Sequence, residues 1–69
     1  MGVHDAIRVI LADHKSFATS LNYAVAYCRE ALRMAEGGDA LRVQCLYILN
    51  NIRGWRHPQA KEVRAALRA

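Results

Sequence analysis

Strand-forming pattern is what this 69-residue chain most conspicuously lacks. No run alternates apolar and polar residues, which excludes a half-buried β-strand. Proline occurs once, at Pro58, and after Gly2 the glycines fall only at Gly37-Gly38 and Gly54. An otherwise Ala-, Leu- and Arg-rich chain is thus punctuated in two places, which predicts helices between the stops. No apolar run approaches about 18 residues, so no segment reads as a membrane span. The two cysteines, Cys28 and Cys45, both lie in apolar helical runs. A bridge between them is geometrically feasible. With no signal-peptide pattern at the start, however, the expectation is reduced thiols acting as small hydrophobes in a cytoplasmic protein.

Catalytic and metal-binding patterns are also missing. His4, His14, His57, Cys28 and Cys45 form no pair at ligand spacing, and Asp13 and His14 are neighbours that point apart on any regular element. There is no nucleophile elbow and no phosphate loop. No catalytic residue, metal or cofactor is therefore expected.

What the chain does have is asymmetry of charge. From Met1 to Ile52, Arg8, Lys15, Arg29, Arg33 and Arg42 are balanced by Asp5, Asp13, Glu30, Glu36 and Asp39. From Arg53 onward, Arg53, Arg56, Lys61, Arg64 and Arg68 face Glu62 alone. The net charge of +4 belongs to the last turn and helix.

The length predicts one domain, residues 1–69. A chain this short buries only about 60% of its unfolded surface, so a monomer would be marginal. Yet 54% of its residues are hydrophobic, above the roughly 45–50% of ordinary domains. The excess predicts burial against another copy or a partner.

Four segments carry helical periodicity. The first starts at about His4, with Ile7, Ile10 and Leu11 on one stripe, and the pattern breaks or kinks around "DHKSFATS" unless one helix continues to Glu36. The second, Ser20 to Glu36, places Leu21, Val25, Cys28 and Leu32 on one face and Tyr23, Tyr27 and Met34 roughly opposite, with Ala24, Ala31 and Ala35 between. Gly37-Gly38 ends it and Asp39 is placed to cap the third. That helix, "DALRVQCLYILNNIRG", aligns Leu41, Cys45, Ile48 and Ile52, with Leu46 and Leu49 widening the face and Val43 and Tyr47 on the other side. The fourth runs from Pro58 to Arg68, with Ala60, Val63 and Leu67 inward and Lys61, Arg64 and Arg68 outward. The expected fold is all-α, a small bundle of three to four helices forming a homo-oligomer.

Two groups of residues are candidates for binding. Arg53, Trp55, Arg56 and His57 set two guanidinium groups, an indole and an imidazole in one turn, and the helix behind them adds Lys61, Arg64 and free backbone N–H groups. Arginine pairs phosphate bidentately, and an aromatic plane stacks on bases. Alternatively, Trp55 plugs the core at a corner and the charges are a solvated face. The second group is a polar line at Gln44, Tyr47 and Asn51. With Asn22, Tyr23 and Tyr27 it either fixes helix register or forms a polar interface between subunits.

The stretches "LNYAVAYCREA" and "RVQCLYILNNIRGWRHPQAKEVRAAL" resemble small all-helical proteins encoded by bacteriophages and prophages. The shared pattern is Asn22, Tyr27 and Cys28; Val43 to Asn51; Trp55 and Arg56; and Ala60, Lys61, Val63 and Arg64. The first twenty residues carry no part of it. The resemblance implies a context in the host cytoplasm rather than an activity, that of accessory proteins acting by binding. Together with the charge it leads to an expected function: non-catalytic capture of an anionic partner, either a phosphate-bearing nucleotide or an acidic host defence factor. A DNA-binding helix-turn-helix-like protein and a structural protein–protein interaction module are the alternatives. Against sequence-specific readout, the would-be recognition helix starts at Pro58 and offers Gln59 as its only amide.

Overall fold

Ala6, Ile7 and Ile10 recur at helical spacing, and in the computed structural model of residues 1–69 they form the buried side of α1 (Val3–Ala12). The break after it falls where the stripe is lost. Asp13 leaves helical geometry, His14–Ser16 make one 3₁₀ turn, and further turns lead to Tyr23. Short hydroxyl side chains hold this connection together. Ser16 Oγ donates to Asp13 Oδ2 at 2.8 Å, and Thr19 Oγ1 donates to the Ser16 carbonyl at 3.3 Å, local bonds that compete with helix continuation.

Three more helices follow: α2 (Ala24–Ala31), α3 (Asp39–Asn50) and α4 (Ala60–Arg68). There is no strand. Packing is cyclic, since α1 lies against α2 and α4, and α3 lies against the same two helices. A single core fills the centre. Trp55 is its largest fully buried side chain, and Ile7, Ile10, Leu21, Ile48, Ile52 and Val63 are fully buried in the same core. Burying each of the aliphatic ones is worth about 1.5–3 kcal/mol.

Several local expectations are corrected. Helix α2 is eight residues long rather than extending from Ser20 to Glu36, because turns occupy both flanks. Its buried side is Ala24, Cys28 and Ala31, with Leu21 buried in the turn before it and Val25 and Leu32 only half-buried. Of the alanines between the two stripes, Ala24 and Ala31 face the core, where their small size lets α2 sit close to its neighbours, while Ala35 is exposed. Leu46 does not widen the inner face of α3 but is 57% exposed. Asp39 is the first residue of α3 rather than its cap. Gly38 holds the cap position, and Asp39 contributes by placing a negative charge in the first turn. Helix α4 begins at Ala60, two residues later than expected, although Ala60, Val63 and Leu67 do face inward.

The turn from α2 to α3 also ties down the start of α1. Glu36 Oε1 accepts the His4 backbone N–H at 2.7 Å from 32 residues away, and His4 Nε2 lies 2.8 Å from the Met34 carbonyl. Gly37 makes this turn possible with φ at +85°, a conformation a side chain would strain.

Candidate anion-binding face

Trp55 fixes the geometry of the basic turn. It is 1% exposed, and an indole buried that deeply requires an acceptor for its N–H. Asp13 Oδ2 supplies one at 2.8 Å, across 42 residues, and is itself only 8% exposed. The same oxygen accepts from Ser16, so the α1–α2 connection and the α3–α4 turn close on one carboxylate. The indole and Ser16 hydrogen bonds hold Asp13 below the usual carboxylate range against the opposing effect of burial, and His57 and Lys15 add smaller contributions in the same direction.

The indole was a candidate ligand-stacking plane, and here the structure corrects the sequence reading. His57 stacks on it, with ring centroids 5.1 Å apart and planes 22° off parallel, and the rest is enclosed by the core. No indole face is open to a base. His57 Nδ1 accepts the Gln59 backbone N–H at 3.0 Å, which turns the chain into α4.

Arg64 is corrected in the same way. One guanidinium nitrogen donates to the carbonyls of Ile52 at 2.8 Å and Trp55 at 2.9 Å. Both oxygens lie past the end of α3, where the Ile52 carbonyl also accepts the Trp55 N–H at 3.0 Å, and the arginine caps the pair. It is half-buried beneath the turn rather than displayed on the outer side of α4.

The remaining cations are displayed. Arg53, Arg56, Lys61 and Arg68 are all exposed. The close contacts between basic and acidic side chains are His4–Glu36, Arg8–Asp5 and Arg42–Asp39, and none involves these four. Arg53 reaches only the neutral Asn50, donating to its Oδ1 at 3.2 Å. At the start of α4 the Gln59 and Ala60 N–H groups are used within the turn, while those of Lys61 and Glu62 have no backbone acceptor. The structure therefore keeps four of the tail's five cations free of acid partners and makes the fifth a brace.

The polar line on α3 divides as well. Gln44 Nε2 donates to the Tyr27 carbonyl at 3.0 Å and ties α3 to α2 in register. Asn51 Nδ2 turns back to the Tyr47 carbonyl at 2.8 Å within its own helix end. Asn22 and Tyr23 are exposed. Tyr27 and Tyr47 stack with centroids 5.6 Å apart and remain 39% and 50% exposed. No buried side-chain nitrogen or oxygen lacks a partner, so the interior aims no orphan polar group at a ligand.

A shallow cavity of about 200 Å³ lies at the opposite end, between Val3, the Gly37-Gly38 turn, Leu41, Cys45 and Leu67. Its one charged side chain, Arg42, is exposed and paired with Asp39 at 3.0 Å. No three histidines, cysteines or acids come together as metal ligands would. Sequence reasoning missed Asp13 because its role is created by a contact across 42 residues. The demand was legible all the same, since a buried indole needs an acceptor. Comparison with protein-family models, with curated proteins and with solved structures finds no match to the chain.

Proposed function

We propose that this is a non-catalytic binding protein that captures a phosphate-bearing anion on its C-terminal face, as an accessory protein of bacteriophage type acting as a homo-oligomer. One observation carries the reading: Arg53, Arg56, Lys61 and Arg68 are exposed without an acidic partner, while the neighbouring Arg64 is tied down. Unpaired surface cations raise the local concentration of anions and speed their arrival. The rigid Trp55 corner beneath them limits the ordering that binding requires. Trp55 and Arg64 support the face from behind, and His57 lies at its edge. The phage context rests on the resemblance alone.

The test is a titration with ATP and with a labelled single-stranded oligonucleotide, each at low and high salt. Binding of either that weakens with salt and is lost in Arg56→Glu/Lys61→Glu, with helicity unchanged, supports the face. A steep salt slope seen with the oligonucleotide alone moves the reading to nucleic acid. Unchanged binding in the double variant removes the basic face from the function, and no binding of either probe overturns phosphate capture.

A further inference from the structure

The second surface that calls for a partner is the outer side of α2 and α3. Tyr23, Val43, Leu46 and Tyr47 are each at least half exposed there, and Tyr27 is 39% exposed. Together they present on the order of 500 Å² of mostly apolar side chain, at the upper end for the largest patch of a monomer. Between Val43 and Ile52 there is no charged residue. A surface rich in tyrosine and depleted of charge has the composition of an interface core rather than of a solvated face.

We infer that this face is a two-fold interface with a second copy of the same chain, in which α3 packs antiparallel to its counterpart about an axis near Leu46. The placement of charge sets the occupant and the direction. Asp39 stands seven residues before Leu46 and Arg53 seven after, and seven residues are close to two helical turns. Asp39 and Leu46 therefore fall on one line along α3, and Arg53 follows just past the end of the helix at Asn50. Both charged residues are exposed at the ends of the charge-free stretch, Asp39 beside Arg42 at 3.0 Å. The Asp39 side chain is 92% accessible, and Arg53 sits just beyond α3 with its guanidinium on Asn50. An antiparallel pairing centred on Leu46 sets Asp39 against the partner's Arg53 at both ends, with the charge-free stretch between. A parallel pairing would set like charge against like.

Area points the same way. A stable interface commonly buries about 800 Å² on each partner, and these five side chains with Asn50, Asp39 and Arg53 at their rim approach that size. Closed two-fold pairing also buries the patch on both copies at once. The inference deepens the oligomeric part of the proposed function and stands whether or not an anion binds. It assigns Arg53 to the interface and leaves Arg56, Lys61 and Arg68 as the free cations.

Sedimentation equilibrium of the intact chain tests it. The expected mass is twice the 7.8 kDa of one chain. Leu46→Glu should give monomer with an unchanged circular dichroism spectrum, since that side chain makes no contribution to the core. Asp39→Arg alone should weaken dimerisation several-fold, to about tenfold across the two symmetry-related pairs, and adding Arg53→Asp should restore it. Failure of the double exchange to restore pairing overturns the antiparallel arrangement. A monomer at every concentration, or an oligomer indifferent to Leu46→Glu, overturns the interface. Retained ATP or oligonucleotide binding by monomeric Leu46→Glu separates this result from the fate of the basic face.

Discussion

Two corners of the bundle are built from the same kind of contact and are worth very different amounts. At one, a loop carboxylate, Asp13, receives the Trp55 indole and the Ser16 hydroxyl in the interior. At the other, a loop carboxylate, Glu36, receives the His4 backbone N–H where water also reaches. Each joins segments more than thirty residues apart. Only the first is closed to solvent, and a hydrogen bond gains weight when the alternative is a buried group without a partner rather than one bonded to water. The stability of the molecule should therefore be concentrated at the Trp55 corner, beneath the surface offered to an anion.

The largest effect should follow loss of the indole. Trp55→Ala removes the biggest core side chain and leaves Asp13 without its main donor, a change of about 3–5 kcal/mol that approaches the whole stability of a domain this size. Thermal unfolding followed by circular dichroism reads it. Trp55→Phe should retain helicity and melt lower than wild type, which isolates the missing N–H from the missing bulk. Next comes Arg64→Met, which leaves the Trp55 carbonyl unbonded and the Ile52 carbonyl with the Trp55 N–H alone. It should lose about 1.5–3 kcal/mol in urea unfolding, whereas Arg56→Met should be neutral. If the two arginines behave alike, the division of the tail into brace and display is wrong.

Acid should distinguish the corners again. The folded protein holds Asp13 below its usual range, so its contribution is fully present above the unfolded value near pH ~3.9 and is lost as pH falls through the lower folded value. Asp13→Asn should flatten this acid limb of the melting temperature, the mark of the Trp55 corner. The smallest change is Glu36→Ala, which removes an exposed cap on α1 and should lower stability by about 0.5–1 kcal/mol. A loss as large as that of Arg64→Met would contradict the ranking of buried over exposed contacts.

The all-helical architecture was legible because it depends on local pattern. Gly37-Gly38 and the Arg53–Pro58 turn mark real boundaries, and Ala60, Val63 and Leu67 face inward as their spacing requires. The reading failed where residue type and partner geometry compete. On α2, apolar size suggested Val25 and Leu32 as the inner face, but close approach of neighbouring helices selects Ala24 and Ala31 instead. On α3, Leu46 and Leu49 are one chemistry at two depths, and only the position of α2 and α4 decides which is covered. The candidate site was half legible for the same reason. Charge excess is a property of the sequence, and it located the basic face. Which cation braces and which is displayed depends on the carbonyls of Ile52 and Trp55, which turn toward Arg64 only once α3 has ended.

Cys28 and Cys45 give this small bundle a clock. Both thiols are buried and free, burial with Cys45 nearby pushes Cys28 up to about 12, and burial raises Cys45 as well. An alkylating reagent reacts with thiolate, so Cys28, away from the cavity that Cys45 lines, should not be modified while α2 and α3 stay packed. Labelling then counts openings of that pair of helices, one molecule at a time, with no introduced probe. Because the same two helices carry the exposed tyrosine face, the rate of labelling should slow as protein concentration rises if a second copy closes over them.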